Sequence, residues 1–255
     1  MYVRILLLTG MEGGIHVAIA AERLTEWMGM PITNSLVMSW IVVAVLIIAT
    51  FVVRSRLSLT PGKFQLTLET LFTGFYTFIE ENLESSILAK KFFPLLMSLV
   101  LFIFTANFLE FIPGVESIQV IHNGHGVPLL RSLNADLNTT LALTLIVFFT
   151  IEITGIRRYG IKYFSRFFNI HSFVGFFVGI IELISELVRL VSFSFRLFGN
   201  IFAGGVLIAV LTYFVPFILP APFMMFEMFV GLLQAVIFSL LTLFFIKMAL
   251  METEH

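Results

Sequence analysis

Arg196 stands in an apolar run, Ser192-Phe193-Ser194-Phe195-Arg196-Leu197-Phe198-Gly199-Asn200, inside a stretch from Leu190 to Leu219 that holds no other charged residue. A guanidinium keeps its proton at any ordinary pH, so at membrane depth it must be met by an anion or by water. One helical turn away stand Ser192, Phe193, Gly199 and Asn200, none of them acidic. The counter-charge is therefore expected from another helix or another protein. Acids flank the arginine at a distance: Glu182 is fourteen residues earlier, roughly 21 Å along a helix axis. Glu227 follows the Pro220-Ala221-Pro222 turn, and Glu110, with Asn107, lies near the end of an earlier apolar segment. Carboxyl groups on each side of a fixed cation suit two aqueous proton paths, one to each face, kept apart by a positive charge that blocks a direct leak.

The neighbours of Arg196 fit that chemistry. Ser192, Asn200, Ala203 and Gly204 share its helical face, and small residues there let another helix approach closely. Gln234, in the middle of the next apolar segment, can hydrogen-bond the guanidinium, hold water beside it, or simply join the two long segments. Glu186 and Arg189, three apart with the acid first, neutralise each other on one face, a structural pair rather than a working one. For Arg196 the structural alternative is snorkelling to an interface, which the apolar residues on both sides oppose.

Other chemistries are poorly served. The chain has no cysteine, which excludes disulfides, thiol catalysis, zinc-thiolate sites and iron-sulfur clusters. His122 and His125 lie in a polar loop, His16 and His171 are isolated, and His255 is terminal, a distribution that suits solvated loops better than a metal site. No cofactor is expected. A net charge of −1 gives no reason to expect nucleic acid as a partner.

The solvent that must position these residues is lipid. The chain is 59% hydrophobic and 12% charged, with 31 phenylalanines in 255 residues and a mean hydropathy of +1.03, which marks an integral membrane protein. Residues 1–34 hold only short apolar stretches, at Ile5 to Leu8 and Ile15 to Ala21, so no cleavable signal peptide is expected and this segment is read as extramembrane or interfacial. Ser35 to Val53 is the first span; after the turn at Thr60-Pro61-Gly62-Lys63, Phe64 to Asn82 reads as an amphipathic helix with Leu66, Leu68, Leu71, Phe72, Phe75 and Phe78 on its apolar face. Phe92 to Ile112 and Leu137 to Ile153 are further spans, separated by a polar loop over residues 113–135 that contains Pro113-Gly114 and Asn123-Gly124.

Two long apolar segments follow, Ser172 to Phe214 and Phe223 to Ile246. As one helix the first would be roughly 65 Å long, about twice the hydrocarbon thickness. It must tilt steeply or break near Gly199 or Gly204-Gly205, and the absence of proline between residues 172 and 215 favours a single tilted helix. The expected fold is all-α: a polytopic membrane protein with about five crossings, two long, strongly tilted C-terminal membrane helices and one amphipathic helix. The basic residues at 54, 56, 63, 90, 91, 157, 158, 162, 166 and 247 fall on one side of that arrangement, and Arg4, Arg23 and Arg131 on the other. The asymmetry puts the C-terminus in the cytoplasm, or its organellar equivalent, and the N-terminus outside.

Ser194-Phe195-Arg196-Leu197-Phe198-Gly199-Asn200-Ile201-Phe202-Ala203-Gly204 closely resembles the signature of subunit a of F-type ATP synthases. Thr60-Pro61-Gly62-Lys63, Ala106 to Gly114, Asn134 to Leu143 and Leu233 to Phe238 look like further landmarks of that family, in its order, so the resemblance covers about residues 35–255. It implies a stationary proton-channel subunit packed against a ring of c subunits, with subunit b of the peripheral stalk and the soluble F1 sector as partners and a bacterial inner membrane, or an organellar one, as its site. Arg196 would match the arginine that faces the proton-carrying carboxylate of each passing c subunit. Asn200 and Gln234 would match its polar neighbours, and Glu182 an acid lining the cytoplasmic-side path. In many members an acid or histidine stands at the position of Gly205, and His or Glu at that of Glu227. The outer path would then rest on Glu227, alone or with Glu110 and water. No covalent chemistry is expected in the chain itself.

Two other classes of function remain. A secondary transporter would use Arg196 to bind an anionic solute at the midplane and would need broken helices there, although no internal repeat is visible. A structural membrane subunit would use the buried charges only as assembly contacts.

Overall fold

A computed structural model describes residues 3–5, 21–27, 30–112, 118–122, 125–160, 163, 173–215 and 218–251. The helices are α1 (Asn34–Ser55), α2 (Lys63–Leu83), α3 (Ser86–Glu110), α4 (Leu137–Tyr159), α5 (Phe173–Phe214) and α6 (Pro220–Met251). Four of them, α1, α3, α4 and α6, are long and apolar enough to cross a bilayer. The fifth crossing counted from the sequence is α5, which is outside that set and carries Glu182, Glu186, Arg189 and Arg196 along its length. It runs unbroken for 42 residues through Gly199, Gly204 and Gly205.

The ends of the helices follow local chemistry. Ser85 caps α3, its Oγ accepting from Leu88 N at 3.4 Å and its carbonyl from Ala89 N at 2.9 Å, so the helix starts six residues before the expected Phe92. Lys90 and Lys91 are thus inside the helix, not flanking it. Asp136 caps α4, its Oδ1 accepting from Asn138 N at 3.1 Å. That helix passes the expected end at Ile153 and stops before Gly160, whose φ of 63° takes the left-handed conformation that closes a helix. Pro220 opens α6, where a missing N–H costs no helical bond.

The all-helical expectation holds for the membrane part, and among the described residues five short strands add to it: β1 (Val3–Ile5), β2 (Arg23–Trp27), β3 (Met30–Thr33), β4 (Ile118–His122) and β5 (His125–Pro128). β2 pairs with β3, and β4 pairs with both β1 and β5, all antiparallel. Part of the expected polar loop is therefore a hairpin. The register pairs Gln119 with Pro128, Val120 with Val127, Ile121 with Gly126 and His122 with His125. Pro113-Gly114, Lys162, Arg166, His16, His171 and His255, like most of residues 1–34, lie outside the described residues, as do the side chains of His122 and His125.

The chain divides into two compact units. The first comprises Met1–Phe51, Leu101–Thr140 and Phe195–Val236. Its core is Met38, Val42, Ala106 and Leu133, with Leu46, Phe102, Leu109 and Leu130 against it. The second comprises Val52–Val100, Leu141–Ser194 and Ile237–His255. There α2 lays Phe72, Phe75 and Tyr76 around Phe93 of α3, with ring centroids 6.5, 6.4 and 5.5 Å apart, and buries Ile79 and Leu83. Leu66, Leu71 and Phe78 of α2 stay exposed. Phe193 packs between Phe238 and Phe245 at 5.1 and 5.5 Å, and Ser239 Oγ donates to the carbonyl of Leu96 at 2.9 Å.

Candidate functional site

Arg196 lies in the first unit, on α5, with an exposed side chain. The pattern around it explains why. Ser194, Leu197, Phe198 and Ile201 are buried, while Phe195, Asn200, Ala203 and Leu207 are exposed, so one face of the helix packs and the other stays open. Apolar side chains dominate both faces, hence the open one suits lipid or a protein partner rather than bulk water. Asn200 Nδ2 donates at 2.9 Å to Oε1 of Gln234, a buried residue of α6. This satisfies the carbonyl of Gln234 and leaves its Nε2 buried without a hydrogen-bond partner among the described residues. The bond also ties α5 to α6 one turn beyond the guanidinium.

Farther along α5 the two consecutive glycines make room for acids from other helices. Glu227 of α6 rests its carboxyl on Gly204, in the space a Cβ would fill. It is buried, and neither of its oxygens has a hydrogen-bond partner among the described residues. A Cβ at Gly205 would stand 4.0 Å from Oε1 of Glu110, which comes from the last turn of α3. Asn107, one turn earlier, is buried. Its Nδ2 donates to the carbonyl of Gly231 at 3.0 Å, and a Cβ at Gly231 would lie 3.1 Å from that of Asn107. Three helices thus bring Glu110, Glu227 and Asn107 against one stretch of α5 and α6. A buried carboxyl without a hydrogen-bond partner is costly inside lipid.

The short segment between β5 and α4 completes this group, and sequence reading missed it. Ser132 Oγ donates to Oε2 of Glu110 at 2.6 Å, and Asn134 Nδ2 donates to Oδ1 of Asn107 at 2.6 Å. Both residues are buried. Their types alone suggest a solvated loop. The usable signal was Leu133 between them, an apolar residue that needs a core, and the family landmark beginning at Asn134.

Glu182 and Ser192 belong to the second unit. Glu182 is half-buried and Ser192 exposed, both on α5. The pair read as structural is indeed an ion pair: Arg189 Nη1 donates to Glu186 at 2.8 and 2.9 Å, and the guanidinium lies 4.1 Å from the centre of the Phe245 ring. Glu186 is thereby buried and matched. No group of three His, Cys, Asp or Glu able to hold a metal occurs among the described residues.

The profile of the ATP synthase A chain family matches residues 36–247. Among known proteins, ATP synthase subunit a of Mycobacterium bovis is 33% identical over 248 residues, covering 94% of this chain and 96% of the relative. ATP synthase subunit a of Sulfurihydrogenibium sp. is 37% identical over 199 residues, 78% of this chain and 87% of its own. The Moorella thermoacetica protein of the same name is 33% identical over 218 residues, 85% and 90% of the two chains.

Proposed function

The chain belongs to the ATP synthase A chain family, and from that premise we propose that Arg196 is the fixed charge separating two proton half-channels. As a member of the family it is the stationary, proton-translocating subunit of an F-type ATP synthase, an integral membrane protein within that complex. In our reading the exposed face of α5 meets a ring of c subunits, whose carboxylates pass Arg196 one by one. Protons reach the ring from the outer side past Glu110 and Glu227, with Asn107 holding the path open. Each proton neutralises a c-ring carboxylate, rides nearly a full turn facing lipid, and leaves past Glu182 on the cytoplasmic side. Asn200, Gln234 and Ser192 shape the surroundings of the guanidinium.

The partners in this reading are the c-ring, subunit b of the peripheral stalk and the F1 sector, in a bacterial inner membrane with the N-terminus outside and the C-terminus cytoplasmic. Residues 1–34 precede the membrane domain of residues 35–255. The observation that carries the reading is Arg196 on the open face of α5, in a stretch with no other charge from Leu190 to Leu219. A guanidinium exposed among apolar side chains at membrane depth is placed to meet a carboxylate that a neighbouring subunit carries past it. The unbroken α5 speaks against a midplane transporter site, which needs an interrupted helix.

The test is Arg196→Ala in the assembled synthase, reconstituted in vesicles. Proton-driven ATP synthesis should vanish and passive proton leak should rise. Coupled synthesis at an undiminished rate would remove Arg196 from the mechanism.

A further inference from the structure

We propose that Ser132 is a positioning residue for the outer proton path: its hydroxyl holds the Glu110 carboxylate beside Gly205. The inference rests on the reading of Glu110 as part of that path and adds an element that the path residues do not include.

A hydroxyl can place a carboxylate only if its own backbone is fixed, because a hydrogen bond to a mobile loop orders neither partner. The segment carrying Ser132 meets that condition. Leu133 is 1% exposed and packs in the core formed with Met38, Val42 and Ala106, so the loop is pinned by an apolar side chain. Asn134 is fully buried and bonded to Asn107, and Asp136 is buried as the cap of α4. Asp136 N donates to the carbonyl of Leu133 at 3.4 Å, and Arg131 Nη2 to that of Ala135 at 3.4 Å. On the upstream side, the fully buried Asn34 ties the loop to the start of α1: its Nδ2 donates to the carbonyl of Pro128 at 3.4 Å. The backbone of Ser132 is thus fixed on both sides, and its 2.6 Å bond to Oε2 is one of the contacts that place the Glu110 carboxylate.

The other oxygen of that carboxylate makes the bond consequential. Oε1 is the atom 4.0 Å from the position a Cβ at Gly205 would take. One oxygen is thus held by the loop while the other faces α5 at Gly205, the residue next to the Gly204 on which the Glu227 carboxyl sits. Losing that hydrogen bond gives the carboxylate room to shift about the torsions of the glutamate side chain. Proton transfer depends on heavy-atom distances near 3 Å, directly or through one water, so a displaced carboxylate slows it steeply.

The experiment uses the assembled synthase in vesicles, with ATP synthesis driven by an imposed proton gradient. Ser132→Ala removes the hydroxyl at almost constant volume and should slow synthesis about tenfold, the scale of one hydrogen bond to a charged group. Ser132→Thr keeps the hydroxyl and should recover most of the rate. In a Glu110→Gln background, Ser132→Ala should cost less than twofold, because the two changes act through one group. An unchanged rate in Ser132→Ala overturns the proposal, as does an equal loss in both backgrounds. A fall in the amount of assembled complex that accounts for the whole loss overturns it too, since Ser132 would then serve folding. Arg196→Ala measured in the same vesicles separates the two levels. Coupled synthesis in that variant refutes the functional reading, whereas an unaffected Ser132→Ala beside an inactive Arg196→Ala refutes only the positioning role.

Discussion

Gly204 and Gly205 are adjacent on one helix and should nevertheless respond oppositely to the same substitution. In a helix interior, glycine to alanine ordinarily stabilises by up to about 1 kcal/mol. At Gly205 the nearest atom to the new methyl would be Glu110 Oε1 at 4.0 Å, an ordinary contact, so Gly205→Ala should keep that gain. At Gly204 the methyl would occupy the space of the Glu227 carboxyl, overlapping Oε1 and Cδ and standing 2.8 Å from Oε2. Glu227 is buried on α6 and cannot swing into open space without moving its neighbours. Overpacking of this kind costs about 1–3 kcal/mol. If that cost falls on the geometry of the proton path, the rate drops by a factor of about 5 to 150. The assay is ATP-driven proton pumping by the reconstituted synthase, with ATP hydrolysis measured alongside to confirm an intact F1 sector. Gly205→Ala should pump at close to the parental rate and Gly204→Ala at least about fivefold more slowly. Glu227→Asp, which draws the carboxyl back by one methylene, should recover part of the loss in the Gly204→Ala background. Equal pumping by the two alanine variants would refute the placement of Glu227 on Gly204 and the path built on it.

Glu227→Gln keeps the volume of the side chain and removes its proton exchange, so synthesis under a proton gradient should slow while assembly is unaffected; an unchanged rate would make Glu227 structural. Asn200→Leu takes the donor from the buried Gln234 carbonyl, at a cost of about 1–3 kcal/mol in thermal stability. The double variant with Gln234→Leu should lose less than the sum of the single changes, which a melting series would read. Glu186→Ala leaves the Arg189 guanidinium over Phe245 without its acid, and breaking a buried ion pair from one side costs about 3–5 kcal/mol. The yield of folded subunit should therefore fall well below that of Glu186→Gln.

How much of this was legible in the sequence depends on the range of the interaction. The helices were legible because lipid requires long apolar runs, and α5 was expected as one piece because no proline interrupts it. The boundaries were less so. Lys90 and Lys91 look like the edge of a span, yet Ser85 caps the helix before them and long basic side chains carry their charge to an interface from within a helix. The β4–β5 pairing was not legible because the strands are short and lie within a segment rich in glycine and polar residues.

The site divides in the same way. Arg196 was legible because one charge in an apolar run contradicts its surroundings, a local signal that needs no partner to be noticed. Glu110 and Glu227 could be assigned to the outer side from their order along the chain, but nothing in their spacing says that they approach neighbouring glycines of α5. The glycine at 205, where the family resemblance leads one to expect an acid or histidine, acquires a physical sense from that approach. A missing side chain on α5 leaves space into which α3 and α6 project carboxyls of their own. Glycine at 204 gives the Glu227 carboxyl its space and the hydroxyl at 132 bonds that of Glu110, residues with no charge to attract notice. In lipid a charged group is conspicuous by its type, whereas the groups that hold it in place are known only by what they touch.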